Sequence, residues 1–285
     1  MSCSSGSPQR PIRVRRIRFS YPTGSLRQHY VDGDLVMSHA MAYLSSVFPE
    51  GEDFFVRSVR RHADQLTEPE LQSRVRGFIG QEVTHGREHQ QLNERLHQMG
   101  YPTRLGDRTT REFFVLCERT LSPLTCLGIT AALEHYTAVF AETLLSDERA
   151  QALLGQTEVR SMLLWHAVEE SEHKSVAFDV YRAAGGTERR RVAAMWFTMA
   201  FFGIGVIAHT AASLVRDRAT YNPVTLVRSL AALRYSPFLT GSVFARFGEY
   251  FESGFHPDHT DNAALLERWT EELFGEQGTL ADHLH

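Results

Sequence analysis

Along most of the chain, apolar residues recur every three or four positions and polar residues fill the opposite side. That period belongs to amphipathic α-helices. Strand-like signals are scarce outside residues 12–21, which read as an extended arm. From Asp34 the pattern is helical. A first helix covers residues 34–47, is interrupted near Pro49-Glu50-Gly51, and continues over residues 52–66. Thr67-Glu68-Pro69-Glu70 has the form of a capping box, so the next helix is expected to open there and to stop at Gly100-Tyr101-Pro102. A polar linker and a short helix over residues 111–121 come next. Pro123 opens a longer helix to about Leu145, and residues 146–156 read as a loop. Thr157 caps a helix that runs to Ala184 and ends at Gly185-Gly186. Shorter helical pieces, a turn at Gly254-Phe255-His256-Pro257 and a helix over residues 262–274 complete the chain. The fold class is therefore all-α.

Residues 192–215 stand apart as an uncharged, mostly apolar run between Arg189-Arg190-Arg191 and Arg216. Its length suffices to span a bilayer. His209, Thr198, Thr210 and Ser213 interrupt it, and Gly203 and Gly205 weaken it. It reads first as a buried core or dimer-interface helix. A lipid-facing segment and a wall of an apolar substrate pocket are the alternatives, which leaves a homodimer and membrane contact open.

Composition changes this picture little. The net charge of −4 gives no reason to expect nucleic acid as a partner. No acidic residue precedes Asp32, whereas Arg10, Arg13, Arg15, Arg16, Arg18 and Arg27 do, so residues 1–33 form a basic arm. The arm is expected to fold over an acidic bundle, with contact to an anionic surface as the sharper alternative. Cys3, Cys117 and Cys126 lack metal-type spacing, and three cysteines make no disulfide framework. Arg15-Arg16 is followed by no apolar run, so no export signal is read and the expected location is cytoplasmic.

The chemistry lies in two Glu-x-x-His motifs, Glu82-Val83-Thr84-His85 and Glu170-Ser171-Glu172-His173. Three residues on an α-helix turn through roughly 300°, so each Glu and its His point to one side. A carboxylate and an imidazole from each of two helices, plus one Glu from each of two others, is the ligand set of a di-iron or di-manganese site in a four-helix bundle. Depth along antiparallel helices selects the other two carboxylates. Glu134 lies 11 residues before Leu145 and matches Glu170, 13 residues after Thr157. Glu142 is about 15 Å from that plane by the same measure. Glu52, 14 residues before Leu66, matches Glu82, with Glu50 and Asp53 as weaker choices. His166 falls on the face of Glu170 and His173, one turn earlier. The expected metal set is Glu52, Glu82, His85, Glu134, His166, Glu170 and His173. His89 and Glu169 are candidates for supporting or substrate contacts, and Glu172 points away. Hard carboxylates with imidazoles suit two iron ions, or manganese, better than structural zinc.

The motif order is similar to that of the ferritin-like di-iron carboxylate superfamily. The segments Phe78-Ile79-Gly80-Gln81-Glu82-Val83-Thr84-His85, Ala132-Leu133-Glu134-His135-Tyr136-Thr137 and Trp165-His166-Ala167-Val168-Glu169-Glu170-Ser171-Glu172-His173 resemble a bacterial family labelled "predicted metal-dependent hydrolase". The resemblance covers most of the chain from about Ile12. It implies one domain, with residues 34–184 as a ferritin-like four-helix bundle and 185–285 as a helical extension. The spacing of His166, Glu170 and His173 is also similar to that of the di-iron arylamine N-oxygenases, in which a third histidine joins the site. A carboxylate-rich site buried in a bundle favours O₂ activation over hydrolysis. The expected function is a non-haem di-iron oxygenase acting on a small apolar or aromatic substrate with an external electron donor. A two-metal hydrolase on the same ligands is the alternative, and iron storage a third class.

Overall fold

A computed structural model describes residues 12–285. Cys3 and Arg10 of the basic arm fall outside the described residues. The helices are α1 (Leu35–Ala63), α2 (Pro69–Gln98), α3 (Thr103–Thr120), α4 (Pro123–Ser146), α5 (Glu148–Ala152), α6 (Glu158–His173), α7 (Val176–Ala183), α8 (Glu188–Leu214), α9 (Pro223–Ala232), α10 (Gly241–Glu249) and α11 (Ala263–Phe274). An isolated bridge between Ile17 and Leu284 is the extent of β-pairing among the described residues. The all-α expectation holds.

Four helices make the central bundle: α1 packs on α2, α4 on α6, α2 on α6 and α1 on α4. Contacts between α2 and α6–α7 fix their direction. Arg74 pairs with Asp179, Gln81 with His173, His85 with Glu169, and His89 with His166. Advancing along α2 retreats along α6, so the two motif helices are antiparallel.

Several local expectations are corrected. Helix α1 runs unbroken through Pro49. A proline has no N–H for the carbonyl four residues back, and here that carbonyl, on Ser45, accepts from Asn93 Nδ2 at 3.0 Å instead. Thr67 does not cap α2. Glu68 takes the N-cap position without a side-chain bond, with Pro69 in the first turn. The polar stretch after Gly100 is no linker but the first half of α3. Its charges form i,i+4 pairs on the solvent side, Arg108 with Glu112 and Arg111 with Asp107. The expected loop over residues 146–156 contains α5, started by Asp147, whose carboxylate accepts from the Arg149 amide. The helix expected to reach Ala184 breaks at Lys174–Ser175, immediately after His173. Tertiary bonds hold the break: Lys174 Nζ donates to Glu142 at 3.0 Å, and Arg74 donates to Ser175 Oγ at 2.6 Å. Thr157 caps α6 as expected from sequence, and α4 opens at the expected Pro123 with Ser122 as its cap.

Two apolar clusters fill the molecule. One joins the C-terminal half of α1 and the N-terminal half of α2 to α4, α7 and α10, with Phe54, Phe78 and Tyr181 near its middle. The other joins the arm residues Ile17 and Phe19 to Leu92, Leu96, Trp165 and Trp269. The described part of the arm, from Ile12, thus lies over the bundle, as expected from its charge, and its Arg15 grips the bundle ionically (below).

Helices α4 and α8 are both long and apolar enough to cross a membrane, but α4 is 72% buried over its apolar window and α8 only 17%. The core-helix reading of residues 192–215 is therefore wrong. The inner side of α8, with Arg191, Ala194, Met195 and Thr198, packs on the bundle, and the outer side is bare. Arg191 anchors its start: fully buried, it donates to the Tyr250 and Glu252 carbonyls and pairs with Glu188 at 2.6 Å. Arg191→Met nearly keeps the volume but strands the buried Tyr250 carbonyl, at about 1–3 kcal/mol, and takes the donor from the part-buried Glu252 carbonyl, at a smaller cost. The expected loss is roughly 2–4 kcal/mol, seen as a lower denaturant midpoint with an unchanged slope.

Candidate metal centre

The seven expected residues meet midway along the bundle, between the two apolar clusters. Each is 4% exposed or less. Glu52 comes from α1, Glu82 and His85 from α2, Glu134 from α4, and His166, Glu170 and His173 from α6. Their donor atoms form two overlapping groups. Glu52, His85, His166 and Glu170 make one, and Glu82, Glu170 and His173 the other, each with its ligand atoms within 4.8 Å of one another. Glu134 joins the second, with an oxygen 3.4 Å from His173 Nε2. Glu170 is common to both. Gly86 lets Glu52 into the centre, because a Cβ there would stand 3.2 Å from its carboxylate.

Hydrogen bonds set the three imidazoles. Gln81 Nε2 donates to Arg13 O and Glu172, which leaves its Oε1 to accept from His173 Nδ1 at 2.8 Å. His173 Nε2 then faces the carboxylates bare. His85 Nε2 donates to Glu169 at 3.0 Å, so Nδ1 faces inward. His166 Nδ1 donates to His89 Nε2 at 2.8 Å, and His89 Nδ1 donates to Ser45 Oγ at 3.0 Å, which turns His166 Nε2 to Glu170 at 2.9 Å. Every imidazole thus ties one nitrogen to the protein and turns the other to the centre. That is how metal-binding histidines are oriented. His89 and Glu169 are in these supporting positions. Gln81 and Arg15 also support the site but do not emerge from sequence reasoning. Arg15 clamps Glu169 at 3.0 Å and Glu172 at 2.6 Å from a loop 154 and 157 residues away in sequence.

The electrostatics suit a cation. Both oxygens of Glu52, Glu82 and Glu134, one of Glu170, His85 Nδ1 and His173 Nε2 are buried without a hydrogen-bond partner among the described residues. His173 Nε2 is 3.0 Å from Glu82, at ion-pair distance but not aligned as a hydrogen bond. Burial, then repulsion from Glu82, Glu170 and Glu134, holds the Glu52 carboxyl well above its usual range. Glu134 and Glu82 are raised by burial and the neighbouring carboxylates, against the pull of His173. Burial works against ionised Glu170, but His173, His166 and His85 outweigh it and bring the group well below the usual value. Burial lowers His85, yet Glu169, Glu170 and Glu82 lift it to about 9. Burial and the His85 charge press His166 down to about 4. Buried unpaired charges of one sign cost several kcal/mol each. Divalent ions held by these oxygens and nitrogens would relieve that cost, so the residues fit a metal pair.

Depth along α4 separates its two glutamates. Glu142 is turned away from the centre, accepting from Lys174, Asn262 and Arg246. Glu134→Ala is expected to release at least one metal. Glu142→Ala should retain both but unfold more easily, because stranding buried Lys174 costs about 3–5 kcal/mol. Metal analysis and thermal melts of the two variants check this, and the reverse result would move the centre two turns along α4.

Fold and site together define a helical-bundle protein with buried Glu and His clusters able to hold metal ions. The chain belongs to the family described as "predicted metal-dependent hydrolase", whose model matches residues 13–261. Neither the curated proteins nor the solved structures gave a match.

Proposed function

We propose that the protein is a ferritin-like non-haem di-iron oxygenase that uses O₂ to oxidise a small apolar or aromatic organic substrate. One observation carries the reading. Four carboxylates and three imidazoles are sealed between two apolar clusters, with bare oxygens on all four carboxylates, bare nitrogens on His85 and His173, and His166 Nε2 turned to Glu170. Glu52, His85 and His166 would hold one ion, Glu82, Glu134 and His173 the other, and Glu170 both. Carboxylate ligands tolerate both ferrous and ferric iron, and manganese suits the same donors. A bound iron pair would supply O₂ activation, which side chains alone do not perform.

The chain supplies the surroundings. Phe48 stacks on His89 at 4.3 Å and meets His166 edge-on, Trp165 meets His85, and Phe78 meets His173. These rings exclude water from the centre. Glu169 with Arg15, Gln81, and His89 with Ser45 hold the imidazole tautomers. The electrons would come from an external donor.

The family description favours the second reading, a two-metal hydrolase on the same residues. There the ions would serve as Lewis acids for a bound water. Hydrolysis of an extended substrate needs a cleft at the centre. The clefts beside Glu142 and Arg246, and beside Tyr43 and His209, are lined by none of the seven residues. The chain loaded with ferrous iron is expected to consume O₂ when given reductant, as read on an oxygen electrode, and to leave ester and amide substrates intact without air. Anaerobic hydrolysis that is indifferent to iron oxidation state would establish the hydrolase instead.

A further inference from the structure

The outer side of α8 is an apolar stripe. Trp196, Ala200, Ile204, Ile207, Ala211 and Val215 follow steps of three and four and so share one face. They span about 28 Å of helix at 1.5 Å per residue. Ile207 is 72% exposed and Trp196 60%. Helix α9 continues the surface with Val224 and Val227, 74% and 64% exposed. Scattered exposed apolar residues need no explanation, but a contiguous patch of this extent marks an interaction surface.

The charge around the patch selects its occupant. Residues 189–248 contain eight arginines, no lysine and one acidic residue, Asp217. Arg189 and Arg190 lie exposed at one end of α8, Arg216 and Arg218 at the other, and Arg228 and Arg234 around α9. Asp217 is engaged by His29 at 2.8 Å and His39 at 3.1 Å. The acidic residues of the neighbouring helix α3 near this side, Asp107 and Glu112, pair with arginines of their own helix. The rim is therefore cationic in a chain of net charge −4. A second copy seated by two-fold symmetry would set this patch against itself, arginine rim facing arginine rim. An anionic lipid surface complements both features, with apolar side chains entering the acyl boundary and arginines at the headgroups. The polar side of α8, with Arg191, Thr198, Thr210 and Ser213, is buried on the bundle, so the helix lies along the protein instead of leaving it to cross a bilayer.

We propose that the α8–α9 face docks the protein onto an anionic membrane surface, with α8 lying in the plane of the interface. The site chemistry proposed above plays no part in this argument. Trp165 and Trp269 are buried, so Trp196 is the exposed reporter among the three tryptophans.

The test is flotation of the full-length chain with vesicles of phosphatidylcholine, with and without phosphatidylglycerol. Binding is expected on the anionic vesicles, with a blue shift of tryptophan emission and weakening as salt rises. Ile204→Asp with Ile207→Asp should reduce binding roughly tenfold or more, and Arg216→Glu with Arg228→Glu should do likewise. Unchanged helical circular dichroism and metal content in these variants would show that they fold. Two results would overturn the proposal. One is absence of vesicle binding by a monomeric wild type. The other is a wild-type dimer that ignores vesicles and that the Ile204→Asp, Ile207→Asp pair dissociates, which would assign the face to a second copy.

Discussion

Glu170→Ala is expected to empty the whole centre. Its carboxylate is shared by both donor groups, and its Oε1 lies 2.9 Å from His166 Nε2 and 3.4 Å from His85 Nδ1. With metals held as proposed, removing it would deprive both of a ligand at once, whereas loss of Glu52 or Glu134 would touch one. It also removes the anion that faces three imidazoles, among them His85 and His173, both lifted above the usual histidine value. Binding that saturates a folded site about a thousandfold above its dissociation constant stabilises by roughly 4 kcal/mol. The variant should therefore retain less than one metal per chain after desalting, and ferrous iron or manganese should no longer raise its melting temperature. Glu172→Ala, two residues on, is the control. Its oxygens go to Arg15 and Gln81, so it should keep both metals with affinity reduced roughly tenfold, as for other residues that orient ligands. Equal metal loss in the two variants would show that the effect comes from disturbing α6 and not from ligation.

The seven inward residues were legible because helical period and depth are geometric. Glu-x-x-His fixes a face, and the distance to a capped end fixes a height. Thr157 is a genuine cap and α4 ends at Ser146, one residue past the expected Leu145, so the heights of Glu170 and Glu134 were reckoned from sound origins. Glu52 was placed by counting back from Leu66, and the expected interruption at Pro49 did not disturb that count. The errors share one cause, compensation by residues distant in sequence. Pro49 is accommodated because Asn93 takes over the Ser45 carbonyl. The break after His173 is held by Glu142 and Arg74. Arg15 and Gln81 carry no local signal, since Arg15 acts on residues 154 and 157 positions on, and Gln81 joins Arg13 of the arm to Glu172 and His173, 68 to 92 positions away. The outer face of α8 failed for another reason. Apolar composition alone does not separate a helix buried in protein from one that leaves its apolar side open.

The metal-free protein is expected to lose stability steadily from about pH 6.5 to 9, and the metal-loaded protein to be nearly indifferent over that range. The sign follows from which state holds more protons. Glu52, Glu82 and Glu134 have raised values in the folded chain, so above about pH 4.5 the folded state holds protons that the unfolded chain has released. Stability then falls as pH rises. His85 acts in the same direction: its contribution is complete below the unfolded value near 6.5 and disappears as pH passes about 9. His166, lowered to about 4, and His89, also held well below the usual value by burial, oppose this, because they are neutral when folded and protonated when unfolded. Their effect is finished by about pH 6.5. Glu169 and Glu170, both lowered, give stability that is present above about pH 4.5 and constant thereafter. Above pH 6.5 the raised groups are left unopposed. One pKa unit is worth about 1.4 kcal/mol, so the His85 shift alone amounts to on the order of 3 kcal/mol. For a chain of this size that is roughly 6–12 °C in melting temperature. Bound divalent metal would remove the dependence, because the carboxylates and the inward nitrogens of His85 and His173 would then hold the ion in place of protons. Melting curves of the chelated and the manganese-loaded protein across this pH range measure the difference. A chelated protein whose melting temperature stays level or rises would show that the four carboxylates are not gathered in one dry site.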